Sequence, residues 1–336
     1  MRGLVIKSTG SCYIVRLDDG SDAECHIKGN FRIRGIRSTN PVAVGDFVEV
    51  NLTGEAGLTA ERSNSVNGLT GEAGHIGWIT DVEERRNYII RRSTNLSKES
   101  HILAANIDQV ALIVTINHPV TSTTFIDRFL ATCEAYRVRA ILIFNKIDLL
   151  TEQELAQLAE LRSLYESIGY KTLAISAKNL NSEAINHASG TINREAINDL
   201  LQGKTTLLSG NSGVGKSTLL NALFGREMTR TGKISDAHDK GMHTTTFSEM
   251  YFLEDGALID TPGIKGFGSV DMTKEEVSHY FRDIFAVSRD CRFGNCTHTN
   301  EPGCAVQEAL IKGSIAISRY ESYLSLLGDF DEAKYR

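Results

Sequence analysis

The sequence predicts a multidomain α/β chain of three parts: a small all-β start, a parallel sheet covered by helices, and a short helical end. Three observations carry this. Short strands separated by turn signals fill residues 1–82. Apolar strands then alternate with amphipathic helices, the pattern of a sheet covered on both faces. Near the end, three cysteines and a histidine crowd into 291–304. The expected divisions are 1–82, a linker at 83–101, 102–268 and 269–336.

Strands are expected at Gly3–Lys7, Cys12–Leu17, Ala23–Ile27, Phe47–Asn51 and Gly77–Val82. Ser8-Thr9-Gly10, Asp18-Asp19-Gly20 and Val44-Gly45-Asp46 supply the turns between them. Five short strands suggest an OB-type barrel. Lys28, Arg32, Arg34 and Arg37 surround Phe31 with no acidic residue between them, which suits contact with RNA backbone and bases. Leu52–Gly57 recurs as Leu69–Gly74, and 52–76 reads as an extended hairpin tip or loop. Asp81–Ser100 carries Arg85, Arg86, Arg91 and Arg92 beside Glu83 and Glu84, and reads as a solvated connector.

The chain has 336 residues, 41% of them hydrophobic and 23% charged, ordinary values for a globular protein. No apolar run reaches the roughly 18 residues of a membrane span. The first residues are too short a run and too soon charged for a secretory signal. A cytoplasmic monomer is expected. The formal net charge of −6 confines any nucleic-acid surface to a local patch.

From Ile102 the periodicity changes. Val110–Val114, Ala140–Phe144, Lys171–Ile175, Thr206–Ser209 and Ala257–Ile259 read as buried strands. Helices are expected over Thr124–Tyr136, Glu152–Ile168, Asn193–Leu201 and Thr218–Phe224. Cys133 falls in an apolar stripe and is expected in the core.

Gly210-Asn211-Ser212-Gly213-Val214-Gly215-Lys216-Ser217-Thr218 follows one of these strands at Ser209 and opens a helix. It fits the P-loop pattern. Its glycines let backbone N–H groups face phosphate oxygens at a helix N-terminus. Lys216 is expected on the β- and γ-phosphates and Ser217 on Mg2+. Asn145-Lys146-Ile147-Asp148 follows another strand and matches the guanine motif Asn-Lys-x-Asp. A carboxylate at Asp148 accepts from guanine N1–H and the 2-amino group, donors that adenine lacks there, and a buried acceptor without a donor is costly. Ser176-Ala177-Lys178 follows the next strand and resembles the segment that contacts guanine O6. Asp260-Thr261-Pro262-Gly263 resembles the Asp-x-x-Gly of a second switch, with Asp260 near Mg2+ and Gly263 N–H near the γ-phosphate. Between them Gly225–Thr246 is polar and ends in His243-Thr244-Thr245-Thr246. One threonine, here taken as Thr245, should ligate Mg2+ in the triphosphate state.

Cys291-x4-Cys296-x-His298-x5-Cys304 offers three thiolates and an imidazole, suited to one closed tetrahedral zinc site of structural type. Thr273 and Glu276 form a capping-box pattern for a helix through about Phe285. Ala305–Lys312 and Ser314–Leu327 are expected helices behind the metal.

The guanine motifs precede the P-loop, the reverse of the usual order, as a circular permutation would produce. Together, Asn145–Asp148, Ser176–Lys178, Gly210–Thr218, Gly241–Thr246 and Asp260–Gly263 resemble the circularly permuted GTPases that depend on the small ribosomal subunit, the RsgA or YjeQ type. That resemblance covers almost the whole chain. It implies an OB barrel, a permuted GTPase domain, a zinc domain and a part in late maturation of the small ribosomal subunit. The stretches 52–76 and 179–200 look longer than is usual in that family.

Many GTPases place a water-orienting Gln after the Asp-x-x-Gly glycine. Here Ile264 stands there and cannot hydrogen-bond water. His243 is the candidate in cis, brought to the γ-phosphate on the ribosome. Two other readings stay open: a P-loop ATPase or kinase, which Asp148 argues against, and a binding module with little turnover, which Ile264 keeps alive.

Overall fold

The computed structural model describes residues 1–9, 12–27, 41–55, 75–92, 100–181, 185–187, 190–192, 194–225, 248–261 and 272–332. Lys28, Phe31, Arg32, Arg34, Arg37, His243–Thr246, Gly263 and Ile264 lie outside them, as does most of the repeat.

The first five strands are β1 (Arg2–Ser8), β2 (Tyr13–Leu17), β3 (Asp22–Ile27), β4 (Phe47–Glu55) and β5 (His75–Val82). They pair in the order β1-β2-β3-β5-β4, and β4 returns to β1 through Gly3 opposite Val48 and Leu4 opposite Phe47. The sheet therefore closes as a five-stranded barrel, which leaves it no open edge. Strand alternation decides its interior. Val5, Val15, Leu17, Ala23, Cys25, Val48, Val50 and Ile79 are all buried within one apolar cluster. Residues 52–55 and 75–76, read as loop from the sequence, belong to β4 and β5.

β6 (Tyr88–Arg92) lies inside the stretch read as a solvated connector and pairs antiparallel with β7 (Ser100–Ala105), which starts where that stretch ends. Arg85 corrects that reading. Its side chain is 6% exposed and clasps the fully buried Asp46. Nε and Nη2 reach the two carboxylate oxygens at 2.6 and 2.7 Å. Such a two-pronged pair matches the guanidinium fork, so the two buried charges neutralise each other. Arg86 keeps the expected exposure and pairs with Asp108 at 3.0 Å.

The central body holds β8 (Gln109–Val114), α1 (Thr123–Ala135), β9 (Arg139–Phe144), α2 (Glu152–Ser167), β10 (Lys171–Ala174), the short pair β11 (Ile185–His187) and β12 (Gly190–Ile192), α3 (Arg194–Leu201), β13 (Thr205–Ser209), α4 (Lys216–Phe224), β14 (Ser248–Leu253) and β15 (Gly256–Asp260). Its strands run in the order β10-β9-β8-β13-β15-β14. All neighbours are parallel except β14 and β15, which are antiparallel. β8 is buried along its whole length, as its unbroken apolar run predicts. The helices lay Leu130 and Cys133 of α1, Leu158 and Tyr165 of α2, Ile197 of α3 and Leu220 of α4 into the same core. A side chain of this size contributes roughly 1.5–3 kcal/mol when fully buried.

β14 has no counterpart in the sequence reading. It fills the gap between β15 and the barrel, pairing with β1 through Lys7 opposite Glu249 and Ser8 opposite Ser248. One continuous sheet of eleven strands thus joins the two bodies.

The C-terminal part holds a 3-10 turn over Lys274–Tyr280, α5 (Arg282–Ser288), α6 (Ala305–Ile311) and α7 (Ile317–Glu332). The capping box at Thr273 and Glu276 is present, but no single helix runs to Phe285. Phe281, extended at φ −107° and ψ 99°, breaks it. Its ring is fully buried edge-on against Tyr323, so packing overrides local helix propensity there. No helix among the described residues is long and apolar enough to cross a membrane.

Candidate functional site

In open parallel sheets, ligands bind at the carboxyl ends of the strands where the order reverses. β13 is that strand here, with β8 on one side and β15 on the other. Its carboxyl end runs into Gly210–Gly215, and α4 begins at Lys216. Gly210, Gly213 and Gly215 all have positive φ, at 147°, 83° and 99°. Two of them leave no room for a side chain. A Cβ on Gly210 would lie 2.4 Å from the Ile113 oxygen, and one on Gly215 2.3 Å from Asn145 Nδ2.

That second contact ties the loops together. Asn145, at the end of β9, is 2% exposed. Its Nδ2 donates to the Val214 carbonyl at 2.8 Å, and its Oδ1 accepts from the Ala177 N–H at 2.9 Å. The Asn-Lys-x-Asp segment, the Ser176–Lys178 segment and the P-loop are therefore one assembly, although the sequence separates the first and last by 69 positions. Ser176 and Ala177 are buried, Lys178 is exposed, and Asp148 is half-buried in a 3-10 turn over Ile147–Leu149. Lys146 takes a left-handed φ of 64° and donates from Nζ to the His118 carbonyl. Burial pushes its ammonium pKa down, and Asp148 opposes that.

Lys216 Nζ donates to the Gly210 and Asn211 carbonyls at 2.6 and 3.0 Å. Burial lowers its pKa as well, with Asp260 opposing. Asp260, at the end of β15, is 1% exposed and lies in register with Leu208 of β13. A cation and a carboxylate thus flank the loop that leads into the N-terminus of α4. Such a cradle fits a polyphosphate with a divalent ion. Ser217 and Thr218 are half-buried on the first turn of α4; Ser212 is exposed and Ser209 buried. Residues 117–119 escaped the sequence reading. Pro119 lies 3.5 Å from where a Gly213 Cβ would stand, so this turn walls the cradle.

The second site lies between α5 and α6. Cys291, Cys296, His298 and Cys304 place one ligand atom each within 4.8 Å of one another, and could hold a metal ion. His298 Nδ1 is 3.6 Å from both Cys291 and Cys304 Sγ, and those two sulfurs are 4.0 Å apart. A tetrahedral ion with about 2.3 Å bonds to sulfur and about 2.0 Å to nitrogen needs ligand separations of about 3.6–3.8 Å. The four residues fit such an ion. Burial lowers the His298 pKa, which favours the neutral imidazole a metal needs.

His298 has a left-handed φ of 59°, a costly conformation that its surroundings must impose. Glu301 does much of this, and the cysteine spacing gave no sign of it. It accepts from Thr297 N–H and Oγ1, both at 2.6 Å, and from the Thr299 and Asn300 N–H groups at 3.0 and 3.1 Å. Burial alone would raise its carboxyl pKa; these bonds outweigh burial and hold it at about 2. Gln307 and Tyr320 donate to the His298 carbonyl at 2.7 and 2.8 Å.

The RsgA GTPase family profile matches residues 82–270, more than half the chain, and the RsgA N-terminal domain profile matches residues 2–57. The chain belongs to the RsgA GTPase family. Among its relatives, "Small ribosomal subunit biogenesis GTPase RsgA 2" of Bacteroides thetaiotaomicron is 56% identical, covering 100% of this chain and 99% of the relative. "Small ribosomal subunit biogenesis GTPase RsgA" of Phocaeicola vulgatus is 54% identical with the same coverage. Among solved structures, YjeQ from Thermotoga maritima superposes with a TM-score of 0.68 at 30% identity, covering 98% of both chains. YloQ, described as a circularly permuted GTPase, gives 0.68 at 28% identity, covering 100% of this chain and 96% of its own. The RsgA fold thus accounts for guanine loops that come before the phosphate loop in sequence yet meet it in space.

Proposed function

We propose that this chain hydrolyses GTP, binds the small ribosomal subunit late in its maturation, and couples subunit-stimulated hydrolysis to release. The observation that carries the reading is the Asn145 bridge, which sets the Asn-Lys-x-Asp loop against the P-loop and the Ser176–Lys178 segment. The names of the full-length relatives supply the ribosomal part.

In this reading Asp148 accepts from guanine N1–H and the 2-amino group, and the Ser176–Lys178 backbone faces O6. N–H groups of 210–218 and the Lys216 ammonium hold the phosphates. Ser217, Asp260 and Thr245 would hold Mg2+, which when bound neutralises charge on the transferring phosphate. Gly263 senses the γ-phosphate, and His243 orients water in place of the Gln that Ile264 displaces. The C-terminal ion is zinc, the ordinary choice for three thiolates and an imidazole, and its role is structural. The basic stretch Lys28–Arg37 and the zinc domain contact rRNA from a cytoplasmic monomer.

The experiment is GTP turnover with and without purified small subunits, with ATP as competitor. A rise in rate with subunits and no competition by ATP are expected; an unchanged rate sinks the ribosomal coupling. Ile264 favours one second reading, a nucleotide-regulated RNA-binding module, which the same assay identifies by tight GTP binding with negligible turnover in both arms.

A further inference from the structure

The barrel carries a cluster of metal-binding chemistry that the nucleotide site and the C-terminal ion leave unused. β2 and β3 are antiparallel, with Tyr13 opposite Cys25 and Ile14 opposite Glu24. Tyr13 and Cys25 point into the barrel core. The same register sets Cys12 level with His26. Alternation then puts Cys12, Glu24 and His26 together on the outer face. Their ligand atoms all lie within 4.8 Å of one another. His26 Nε2 is 3.7 Å from Glu24 Oε1, close to the spacing two ligands take around a tetrahedral ion. The His26 ring leans on Trp78, with centroids 5.8 Å apart, which limits its rotation.

We propose that Cys12, Glu24 and His26 form a second metal site, taking a borderline-soft divalent ion such as Zn2+ on three protein ligands with one position open to water.

The donor set selects the ion class. A thiolate and an imidazole disfavour Mg2+ and Ca2+, which prefer all-oxygen shells, and suit Zn2+ or Co2+. Glu24 and His26 on β3 and Cys12, the residue before β2, supply three ligands, which leaves the fourth position of a tetrahedral ion for water. A divalent cation would displace the thiol proton of Cys12 and pair both anionic ligands. Occupancy would pin β2 to β3 beside the segment that begins at Lys28.

The test uses the full chain with its C-terminal site preloaded with one equivalent of Zn2+, and titrates Co2+ alone. A thiolate-to-Co2+ charge-transfer band with the intense visible bands of a four-coordinate ion is expected, saturating at one further equivalent in the micromolar range. Cys12→Ser should abolish the charge-transfer band. Glu24→Gln and His26→Gln should each weaken Co2+ binding tenfold or more. Cys12 is only partly buried, so its serine variant should fold; its circular dichroism and GTP affinity serve as the check. No band in the wild type, a band that survives Cys12→Ser, or saturation only at millimolar Co2+ overturns the proposal.

Discussion

Arg319 in α7 and Asp127 in α1 form an ion pair at 2.7 Å with neither side chain exposed to solvent. The Arg319 guanidinium also grips Asp283 of α5 through two bonds, at 2.8 and 3.1 Å, and Tyr165 of α2 donates to Asp127 at 2.9 Å. One cation therefore fastens the C-terminal helices to the nucleotide-binding body. Facing two carboxylates, it stays charged, while burial pushes the Asp127 carboxyl pKa up. Removing the arginine strands both carboxylates, and breaking a buried pair typically costs about 3–5 kcal/mol. Arg319→Ala should lower unfolding stability by about that amount in urea. The triple variant Asp127→Leu, Arg319→Met, Asp283→Leu should recover most of it. If Arg319→Ala is neutral, this pair does not hold the two bodies together.

The sequence made the repeating parts of this arrangement legible and the pairwise parts illegible. The barrel strands announced themselves by alternation and turn residues, and the P-loop and guanine motif by short, chemically constrained strings. β14 did not. Its partner β1 lies some 240 residues away in the chain, so no local pattern names the pairing. Arg319 and Asp127 look like ordinary surface charges in sequence; only the meeting of α1 and α7 buries them. Phe281 shows the same limit in reverse. Its capping box was legible, yet a ring that must face Tyr323 ended the helix early. Lys28–Arg37, His243 and Thr245 fall outside the described residues, so their roles rest on sequence alone.

Asn145 offers a sharper test of the nucleotide site. Its side chain makes two buried hydrogen bonds, to Val214 and Ala177. Asn145→Ala removes both and leaves a buried carbonyl and N–H unpaired, each worth about 1–3 kcal/mol. Guanine nucleotide affinity should fall by roughly 10- to 100-fold, read by titration with a fluorescent GDP analogue. Asp148→Ala should differ in kind: GTP affinity should fall while affinity for ATP stays unchanged. Equal losses for both nucleotides would refute guanine recognition by Asp148.

Glu301 supplies a pH dependence whose sign can be worked out. Its folded pKa, about 2, lies below the ordinary 4.5. A depressed carboxyl contributes stability that is full above the unfolded value and is lost as pH falls through the folded one. The stability difference between wild type and Glu301→Gln should therefore be constant above about pH 5 and shrink between about pH 4.5 and 2. Denaturant titrations of both metal-loaded proteins across that range, with metal content followed at each pH, measure it. A difference that grows on acidification contradicts the hydrogen-bond assignment.

The metal centre should matter to one part of the chain more than the rest. Cys291, Cys296 and His298 lie on a loop with little regular structure, and Cys304 is the cap residue of α6. Burial raises the Cys296 thiol to about 12, so an ion bound there must displace its proton. Small domains commonly draw their folding energy from such an ion. Chelation should raise hydrogen exchange across 291–311 first and α7 next. β8, β9 and β13 should keep their protection, because their core around Leu112, Leu142 and Leu207 does not include the ligands. Arg319 predicts where the loosening stops: α7 should retain residual protection near Asp127 as long as that pair is intact, and lose it in Arg319→Ala. Uniform exchange along the whole chain after chelation would mean that the ion stabilises the protein as one unit and that the C-terminal part has no separate fold to lose.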